Sequence, residues 1–400
     1  MELPERARVV IIGGGVIGTS IACHLAEAGV TDVVLLERDQ LGSGSTCKAA
    51  GGVRASFSTP ANIAMGMRGL EVYSQFERDY GQDIDFKRNG YLYMLSDQDN
   101  VDIFTASVAL QNAYGVPSRM VGPEEAQHIS PLISTEGLLA AAWSPEDARA
   151  TPEAVVAGYA ANARRLGARL ITRCTVTGIG SNGGVIEAVV TSLGTIRTDT
   201  VVCAAGAWSR QVGQMLGVEL PVSPVRRQIA FTEPSDRVPQ QTPLTIDFPA
   251  NFYFHPEGRG LLFGWSNPHE PVGFNLDFER DDWLAGFADV ALRRAPQVLD
   301  FGIVSGWAGL YEVTPDNNQI IGRSAEVEGL LYACGYSGHG FLMGPATGEI
   351  IRDLYLGRQP RYDVTSFDVH RFETTDALVE PNLGARAPAN VLRPTERNIV

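Results

Sequence analysis

The stretch "VVIIGGGVIGTSIACHLAEAGVTDVVLLERD", residues Val9 to Asp39, decides the fold of this chain. Its β-branched opening, Val9 to Ile12, predicts a short strand that is buried on both faces. Three glycines and an apolar helical pattern follow, and Gly29 ends the helix. Asp32 to Leu36 then predicts a second strand. Strand, glycine turn, helix and strand in this order indicate a doubly wound α/β unit with a parallel sheet.

The glycines at this turn have the spacing G-x-G-x-x-G, formed by Gly13, Gly15 and Gly18. The first permits the tight turn, the second lets a pyrophosphate approach the backbone, and the third lets helix and strand pack closely. Val16 and Ile17 begin the helix, whose unpaired N–H groups and positive dipole end favour that pyrophosphate. The motif therefore predicts a dinucleotide site; the alternative is a glycine-rich turn without a ligand.

An acidic residue, Glu37, follows the second strand, with Arg38 next to it. An acid at this distance from the glycines is placed to accept hydrogen bonds from the adenosine ribose hydroxyls. We therefore assign Glu37 and Arg38 to the dinucleotide site. The motif alone does not distinguish FAD from NAD.

Length and composition set the broad class of protein. The chain has 400 residues, which is too many for one ordinary core and favours two domains. With 44% hydrophobic and 20% charged residues, it is expected to fold. The net charge of −14 argues against nucleic acid and against an anionic membrane as partners, because both would repel the protein.

The cysteines and the opening segment bear on the compartment. Five cysteines form no close pair, and Cys23, Cys203 and Cys334 lie in apolar runs, as small buried hydrophobes do. The opening apolar run is broken by glycines and contains His24 and Glu27, so it predicts neither a membrane span nor a signal peptide. A reduced, cytoplasmic protein is expected.

Glycine-rich segments recur along the chain and favour FAD over NAD. A long ligand needs contacts at its adenine, pyrophosphate and flavin parts, and NAD folds usually proceed straight to the next helix and strand. Beyond the opening motif, the segments are "LGSGSTCKAAGGVRASFSTP" (Leu41 to Pro60), "TVVCAAGAWS" (Thr200 to Ser209) and "GLLYACGYSGHGFLMGPATGEII" (Gly329 to Ile351).

Three motifs, "GSTCKAAGGVR", "GLYEVTPDNNQIIG" and "GYSGHGF", carry a family resemblance over residues 8–357. The chain resembles the D-amino-acid-oxidase-like flavoprotein superfamily, in its branch of sarcosine oxidases, dimethylglycine dehydrogenases and proline dehydrogenase β subunits, with glycine oxidases close by. The resemblance implies a Rossmann-type FAD-binding domain and a discontinuous substrate domain that is built on an antiparallel sheet. The expected fold class is therefore α/β plus α+β. It also implies oxidation of a C–N bond by hydride transfer to flavin, giving an imine that hydrolyses.

The resemblance implies this division of the chain: residues 1–85, 145–220 and 305–375 form the FAD domain, and 86–144 and 221–304 form the substrate domain. Strand-like segments "GYLYML", "QIAFTE", "NFYFHP" and "GLLFGW" fall in the latter. Helices are predicted in "NIAMGMRGLEVYSQFERDY" and in "TPEAVVAGYAANARRLG", the second capped by Thr151. The proline-punctuated tail, 376–400, is expected to extend over the surface.

The resemblance also supplies FAD contacts beyond the opening motif. They are Ser45, Thr46, Lys48, Ala49, Ala50, Gly51, Val176, Ala205, Gly206, Trp208, Gly338, His339, Gly340, Phe341 and Leu342. Relatives that link flavin covalently do so through a cysteine where this chain has Gly309 and Leu310, or through a histidine where it has Lys48. FAD is therefore expected to bind noncovalently.

Arg54, in "GGVR", matches the arginine that pairs with the substrate carboxylate in sarcosine oxidases. A guanidinium binds a carboxylate through two parallel hydrogen bonds and so fixes the position of the reacting carbon. The alternative is an arginine in a structural ion pair. The second cation of those oxidases is here Leu342, and their oxygen-activating lysine aligns with Leu262, which argues against rapid use of oxygen.

Four further residues are candidates near the reaction. Lys48 replaces the missing lysine charge, steadies reduced flavin, or is merely solvated. His339 orients the backbone or packs, rather than transferring a proton. Tyr253 and Tyr311 lie on the substrate side or belong to the core. Tyr311 stands where glycine and D-amino-acid oxidases have a carboxylate-binding arginine. This difference argues against a substrate with a primary amine.

These patterns predict an FAD-dependent oxidoreductase acting on a small secondary amino acid, such as an N-alkylglycine or a proline-like ring, with oxygen or another acceptor. The first alternative is the flavin-carrying subunit of a heteromeric complex that passes electrons to a partner; a homo-oligomer is also possible. An NAD-dependent dehydrogenase is a remote alternative. The six scattered histidines have no metal-binding spacing, so no metal is expected.

Overall fold

Two large sheets organise the chain in the computed structural model, which describes residues 3–373 and 380–381. In this part of the chain the strands are β1 Val9–Ile12, β2 Val33–Leu36, β3 Gly52–Val53, β4 Tyr91–Leu95, β5 Arg119–Val121, β6 Ala140–Ser144, β7 Ala148–Arg149, β8 Arg169–Ile171, β9 Val176–Asn182, β10 Val185–Thr191, β11 Gly194–Arg197, β12 Val201–Cys203, β13 Ser223–Thr232, β14 Leu244–Asp247, β15 Phe252–Glu257, β16 Gly260–Trp265, β17 Ile303–Val313, β18 Ile320–Arg323 and β19 Leu330–Cys334. The α-helices are α1 Val16–Glu27, α2 Pro60–Ser74, α3 Phe76–Tyr80, α4 Gln98–Ala113, α5 Pro123–Ile129, α6 Pro152–Arg165, α7 Ser209–Gln214, α8 Arg280–Arg294 and α9 Gly340–Tyr355.

The first sheet has six strands in the order β18-β19-β12-β1-β2-β8, and all neighbours except β18 and β19 run parallel. Every residue of β1 is buried, as its β-branched sequence predicts. Alternate residues face opposite layers: Val9 and Ile11 pack with helices α1, α2, α6 and α9, and Val10 and Ile12 pack with β9–β11. The predicted Rossmann-type α/β domain is therefore confirmed.

The second sheet has eight strands in the order β17-β13-β16-β15-β14-β4-β6-β5. The prediction that this sheet is antiparallel is wrong for one pair of strands, because β4 and β14 run parallel. These two strands come from separate segments of the chain, so no hairpin forces them to be antiparallel. The sheet is thus mixed, with its remaining neighbours antiparallel.

The division into domains stays a prediction. One of its boundaries, between residues 304 and 305, falls inside β17, which pairs along its length with β13 of the eight-stranded sheet. That boundary therefore does not coincide with the end of a structural element.

Two local predictions need correction. The segment 62–80 was predicted as one helix, but α2 and α3 are separated at Gln75, whose backbone leaves the helical region. Thr151 was predicted to cap α6; it stands at the N-cap position, but its side chain makes no capping hydrogen bond. Pro152 does begin that helix, where its missing N–H costs nothing.

Glu380 corrects part of the prediction that the tail lies over the surface. Its side chain is buried, and its carboxylate accepts hydrogen bonds from the Ser58 N–H (2.8 Å), the Thr59 hydroxyl (3.1 Å) and the Asn62 amide (3.0 Å). These groups surround the N-terminus of α2, where a negative charge is stabilised by unpaired N–H groups and the helix dipole. The rest of the predicted tail, 376–379 and 382–400, lies outside the described residues.

Replacing Glu380 by alanine is expected to lower the free energy of unfolding by about 1–3 kcal/mol, because the N-terminus of α2 loses its carboxylate acceptor. Chemical denaturation of the full chain measures this. The matched control is Glu373→Ala, which removes a largely exposed carboxylate that, within residues 3–373 and 380–381, pairs with His370 alone. Equal stability of Glu380→Ala and wild type would show that the capping contact contributes nothing.

In the described part of the chain, no helix is both long and apolar enough to cross a membrane. The same part holds no cluster of three or more histidine, cysteine or acidic side chains that could bind a metal ion.

Candidate active site

The glycine turn after β1 has the geometry that its motif predicts. Gly13 has φ +114°, a conformation that favours glycine, and a Cβ there would lie 2.2 Å from the Ala204 carbonyl oxygen. A Cβ on Gly18 would lie 1.9 Å from the Gly13 oxygen, so this third glycine serves helix packing. The N–H groups of Gly15 and Ile17 find no acceptor among the described residues. A helix N-terminus with such free donors fits a pyrophosphate.

Glu37 holds the turn from the other side. Its carboxylate accepts the N–H of Gly14 (2.7 Å) and the N–H of Asp39 (2.8 Å). The Arg38 guanidinium carbon lies 3.7 Å from the centre of the Trp208 ring. The acid at the end of β2 is thus fixed beside the glycine turn, with a flat aromatic surface next to it.

A cavity of about 770 Å³ joins this turn to the other glycine-rich segments. All sequence-predicted site residues line it except Gly18, which packs beneath the turn. The lining includes Gly13, Gly15, Val16, Ile17, Glu37, Arg38, Ser45, Thr46, Lys48, Ala49, Ala50, Gly51, Arg54, Val176, Ala205, Gly206, Trp208, Tyr253, Tyr311, Gly338, His339, Gly340, Phe341 and Leu342.

One face of the eight-stranded sheet forms the opposite wall of this cavity. Residues paired across neighbouring strands project from the same face, so the strand register lays a row of side chains over the cavity. From β17 to β4 this row is Trp307, Ile229, Gly264, Tyr253, Ile246 and Tyr93. Apart from Gly264, every member lines the cavity. The wall is therefore largely apolar and aromatic.

Arg54 is a buried cation in this wall region, with 7% of its surface exposed. Its Nη1 donates to the Ser56 carbonyl oxygen at 2.6 Å, and its guanidinium lies 3.8 Å over the Phe57 ring. Within the described residues no carboxylate lies within salt-bridge distance of it. The structural ion pair that was the alternative role for Arg54 is absent there, which leaves the guanidinium free to bind an anion.

Lys48 lies at the edge of the cavity beside β17. A Cβ on Gly309 would meet the Lys48 Cβ at 2.6 Å, so the glycine makes room for this side chain. The Lys48 ammonium lies 5.4 Å from the centre of the Trp307 ring. Neither Gly309 nor Leu310 offers a nucleophile, and the neighbouring Cys47 does not line the cavity.

His339 is buried, and burial together with the charge of Arg54 lowers its pKa to about 3. Its Nε2 lies 2.9 Å from Gln319 Oε1, and Gln319 donates to Asn62 (2.9 Å), which donates to Glu380. Because the Gln319 oxygen can only accept, this chain of bonds fixes the proton on Nε2. The imidazole is therefore neutral and held in one orientation.

The two tyrosines lie flat against glycines. A Cβ on Gly264 would come within 2.3 Å of the Tyr253 ring, and one on Gly338 within 2.2 Å of the Tyr311 ring. Burial raises the pKa of both hydroxyls, so both are protonated at neutral pH. They present neutral hydrogen-bonding groups to the cavity.

Sequence reasoning missed Arg227, a second arginine that lines the cavity. In β13 the residues Val225, Arg227 and Ile229 share one face, and Ile229 belongs to the wall described above. The sequence did carry a signal: Arg227 stands between Val225 and Ile229 in the alternation of a strand, at a position where an apolar residue is expected.

Two buried acids were missed as well. The Asp147 carboxylate accepts the Ala55 N–H (2.8 Å) and the Ser56 hydroxyl (2.7 Å), and so holds the segment that carries Arg54. Burial raises its pKa to about 6. Glu312 accepts the Gly335 N–H at 2.9 Å, and burial raises its pKa to about 7. Both acids shape loops of the cavity; Asp147 meets Ala55 across 92 residues, whereas Glu312 meets Gly335 across 23.

The raised pKa of Asp147 has a consequence for stability. An aspartate of pKa 3.8 when unfolded and about 6 when folded binds its proton more tightly in the folded state, so stability falls as the pH rises from about 4 to about 6. Asp147→Asn removes this loss while keeping an acceptor for the Ala55 N–H. The difference in free energy of unfolding between Asp147→Asn and wild type is expected to shift in favour of the variant by about 3 kcal/mol when the pH is raised from 4 to 7.

Denaturation of FAD-saturated protein at a series of pH values measures this difference, with the exposed Asp99→Asn as control. A difference between Asp147→Asn and wild type that does not change with pH would contradict the account of Asp147.

Fold and cavity together define a dinucleotide-binding oxidoreductase, and comparison with known proteins identifies its family. The family described as FAD dependent oxidoreductase matches residues 8–354. The chain therefore belongs to this family, and FAD is its cofactor. The free N–H groups of the glycine turn and the long cavity fit that cofactor.

Individual relatives agree with this placement. Mitochondrial sarcosine dehydrogenase of Mus musculus is 30% identical over 385 residues, which cover 92% of this chain and 42% of the relative. Mitochondrial dimethylglycine dehydrogenase of Mus musculus is 30% identical over 390 residues, which cover 93% of this chain and 45% of the relative. The chain thus spans less than half the length of these relatives.

Solved structures match over nearly their whole length. The L-proline dehydrogenase from P. horikoshii is 34% identical, with a TM-score of 0.86 and coverage of 93% of this chain and 99% of that one. The glycine oxidase from Geobacillus kaustophilus, at 24% identity and a TM-score of 0.83, shares the fold.

Proposed function

We propose that this protein oxidises the C–N bond of a small secondary amino acid, of the N-alkylglycine or proline-like kind, to an imine that water hydrolyses. The observation that carries this is Arg54, a buried guanidinium in the wall of the FAD cavity that no described carboxylate neutralises. The names of the relatives, which act on sarcosine, dimethylglycine and L-proline, support the choice of substrate class.

Arg54 binds the substrate carboxylate in this proposal. Because Nη1 is engaged with the Ser56 carbonyl and the guanidinium packs on Phe57, its orientation is set before substrate arrives. A preorientated guanidinium with free N–H groups holds a carboxylate through two hydrogen bonds and fixes the neighbouring carbon.

The aromatic wall excludes water from the reacting carbon. Tyr253 and Tyr93 cover the cavity from the sheet, and the protonated Tyr311 offers a hydroxyl without adding charge. His339, neutral and orientated through Gln319, does not take up a proton near neutral pH. We therefore propose that the substrate gives its amine proton to solvent as it binds and then reacts as the neutral amine, so that no residue of the site has to act as a base.

Bound FAD supplies the hydride acceptor for this oxidation. Gly309, Leu310 and Lys48 occupy the positions at which relatives attach flavin covalently, and none can form those links, so we propose noncovalent binding. The test is acid precipitation of the purified protein: FAD should appear in the supernatant. A yellow precipitate over a colourless supernatant would show a covalent link.

A second candidate function is that of a flavin-carrying subunit that passes electrons to a partner protein. Leu262 favours it, because this residue stands where oxygen-using relatives have a lysine and is buried in β16. Turnover of the isolated chain with an artificial dye, without peroxide formation in air, would support this candidate. Rapid peroxide formation would support an oxidase.

A further inference from the structure

Arg227 lies in the cavity wall and has no acidic partner among the described residues. Its Nη1 donates to the carbonyl oxygen of Arg226 at 2.9 Å, and its Nε is buried without an acceptor. No described group accepts from Nη2 either. Arg227 thus resembles Arg54: each arginine uses one nitrogen on a nearby carbonyl and keeps the others free.

Two acids that reach β13 bind the neighbouring Arg226 rather than Arg227. Glu270 accepts from Arg226 Nε at 2.7 Å, and Glu279 accepts from Arg226 Nη2 at 2.8 Å. Neither pairs with Arg227; burial lowers the pKa of its guanidinium, and the charge of Glu270 opposes that fall only in part. A half-buried cation without an acidic partner is costly, so a wall position of this kind favours an anion from outside the chain.

Arg227 and Arg54 line the same cavity. Arg227 pairs with Gly309 of β17, over which the Lys48 side chain lies, and its guanidinium lies 5.3 Å from the centre of the Tyr311 ring. Burial raises the pKa of the Tyr311 hydroxyl, and the charges of Arg227 and Arg54 both oppose that rise. The charges of both cations therefore act on Tyr311, and Arg227 lies beside its ring.

We propose that Arg227 forms a second anion subsite, so that the preferred substrate is a secondary amine with two carboxylates. Arg54 binds the carboxylate next to the reacting carbon, and Arg227 binds the distal one. This proposal rests on the proposed function and narrows its substrate class from secondary amino acids to those with an acidic side chain or an acidic N-substituent.

Matched acid and amide substrates test the subsite in the wild-type protein. N-methyl-L-aspartate and N-methyl-L-glutamate are compared with N-methyl-L-asparagine and N-methyl-L-glutamine, and iminodiacetate with its monoamide. The amides keep the size and remove the charge. For at least one pair, kcat/KM is expected to be roughly 10- to 100-fold higher for the acid, as for a charge-assisted contact. Arg227→Gln should remove this ratio, and Arg227→Lys should restore part of it.

Equilibrium binding supplies a readout that does not depend on turnover. Succinate and glutarate, which cannot be oxidised at an amine, should perturb the visible spectrum of the bound flavin at lower concentration than succinamate and glutaramate. Arg227→Gln should abolish the difference. Arg259→Gln, at an exposed arginine that is not among the lining residues, should leave it unchanged.

The outcomes separate this proposal from the proposed function. Equal rates and equal binding for acids and amides, with sarcosine or proline still reducing the flavin, would overturn the subsite alone. If Arg227→Gln impaired all substrates equally and weakened the binding of sulfite, a probe of positive charge beside flavin, Arg227 would serve the cofactor and the subsite would be refuted. If no secondary amine reduced the flavin, the proposed function would fail, while dicarboxylate binding would still test Arg227.

Discussion

Replacing Arg54 by alanine is expected to lower kcat/KM for a secondary amino acid by roughly 30- to 1000-fold, because the substrate carboxylate loses a charge-assisted contact of about 2–4 kcal/mol. FAD content should stay close to that of wild type, since the glycine turn and Glu37 lie at another part of the cavity. Steady-state kinetics and the ratio of flavin to protein measure the two effects.

Two further variants show whether the loss comes from the guanidinium itself. Arg54→Lys keeps the charge but cannot form two parallel hydrogen bonds, so it should recover only part of the activity. Arg54→Met keeps much of the packing on Phe57 and should be as inactive as alanine. Unchanged kinetics in Arg54→Ala would assign the carboxylate to another cation, and loss of FAD with unfolding would make Arg54 a structural residue.

Replacing Glu37 by alanine is expected to weaken FAD binding by roughly 10- to 150-fold, the equivalent of one or two hydrogen bonds to a charged group. The carboxylate accepts the N–H groups of Gly14 and Asp39, so its loss should loosen the glycine turn, and it should also remove the acceptor that we propose for the ribose hydroxyls. Titration of apoprotein with FAD, followed by flavin fluorescence, gives the dissociation constant.

The neighbouring Asp39→Asn is the control for this effect, because Asp39 is exposed and its side-chain oxygens have no partner but Arg38 in the described part of the chain. Its dissociation constant for FAD should remain within a few-fold of wild type. An unchanged constant in Glu37→Ala would mean that the turn holds its shape without the acid.

Local sequence patterns were sufficient to predict the geometry of the glycine turn and the position of the acid beside it. Gly13 and Gly18 are required by backbone contacts within a single strand-turn-helix unit, and Glu37 is bonded to Gly14 only 23 residues away. Such short-range geometry repeats wherever the motif occurs, so residue spacing predicts it.

The substrate side could not be predicted in the same way. Arg227 reaches the cavity only through the register of β13 with β17, about 80 residues further along the chain, and a slip of one residue would turn its side chain to the other face. Glu380 meets Ser58 across 322 residues, and Asp147 meets Ala55 across 92. No periodicity within a short window encodes contacts of this range, and the parallel pairing of β4 with β14 was missed for the same reason.

Anaerobic reduction of the bound flavin tests the central claim most directly. Without oxygen, stoichiometric addition of a secondary amino acid from a panel that includes sarcosine, L-proline and N-methyl-L-glutamate should bleach the visible flavin absorbance. One equivalent of carbonyl product should follow after imine hydrolysis. Deuterium on the carbon that loses hydride should slow the bleaching. If no member of the panel bleaches the flavin of a protein fully loaded with FAD, this enzyme does not oxidise secondary amino acids and the account is wrong.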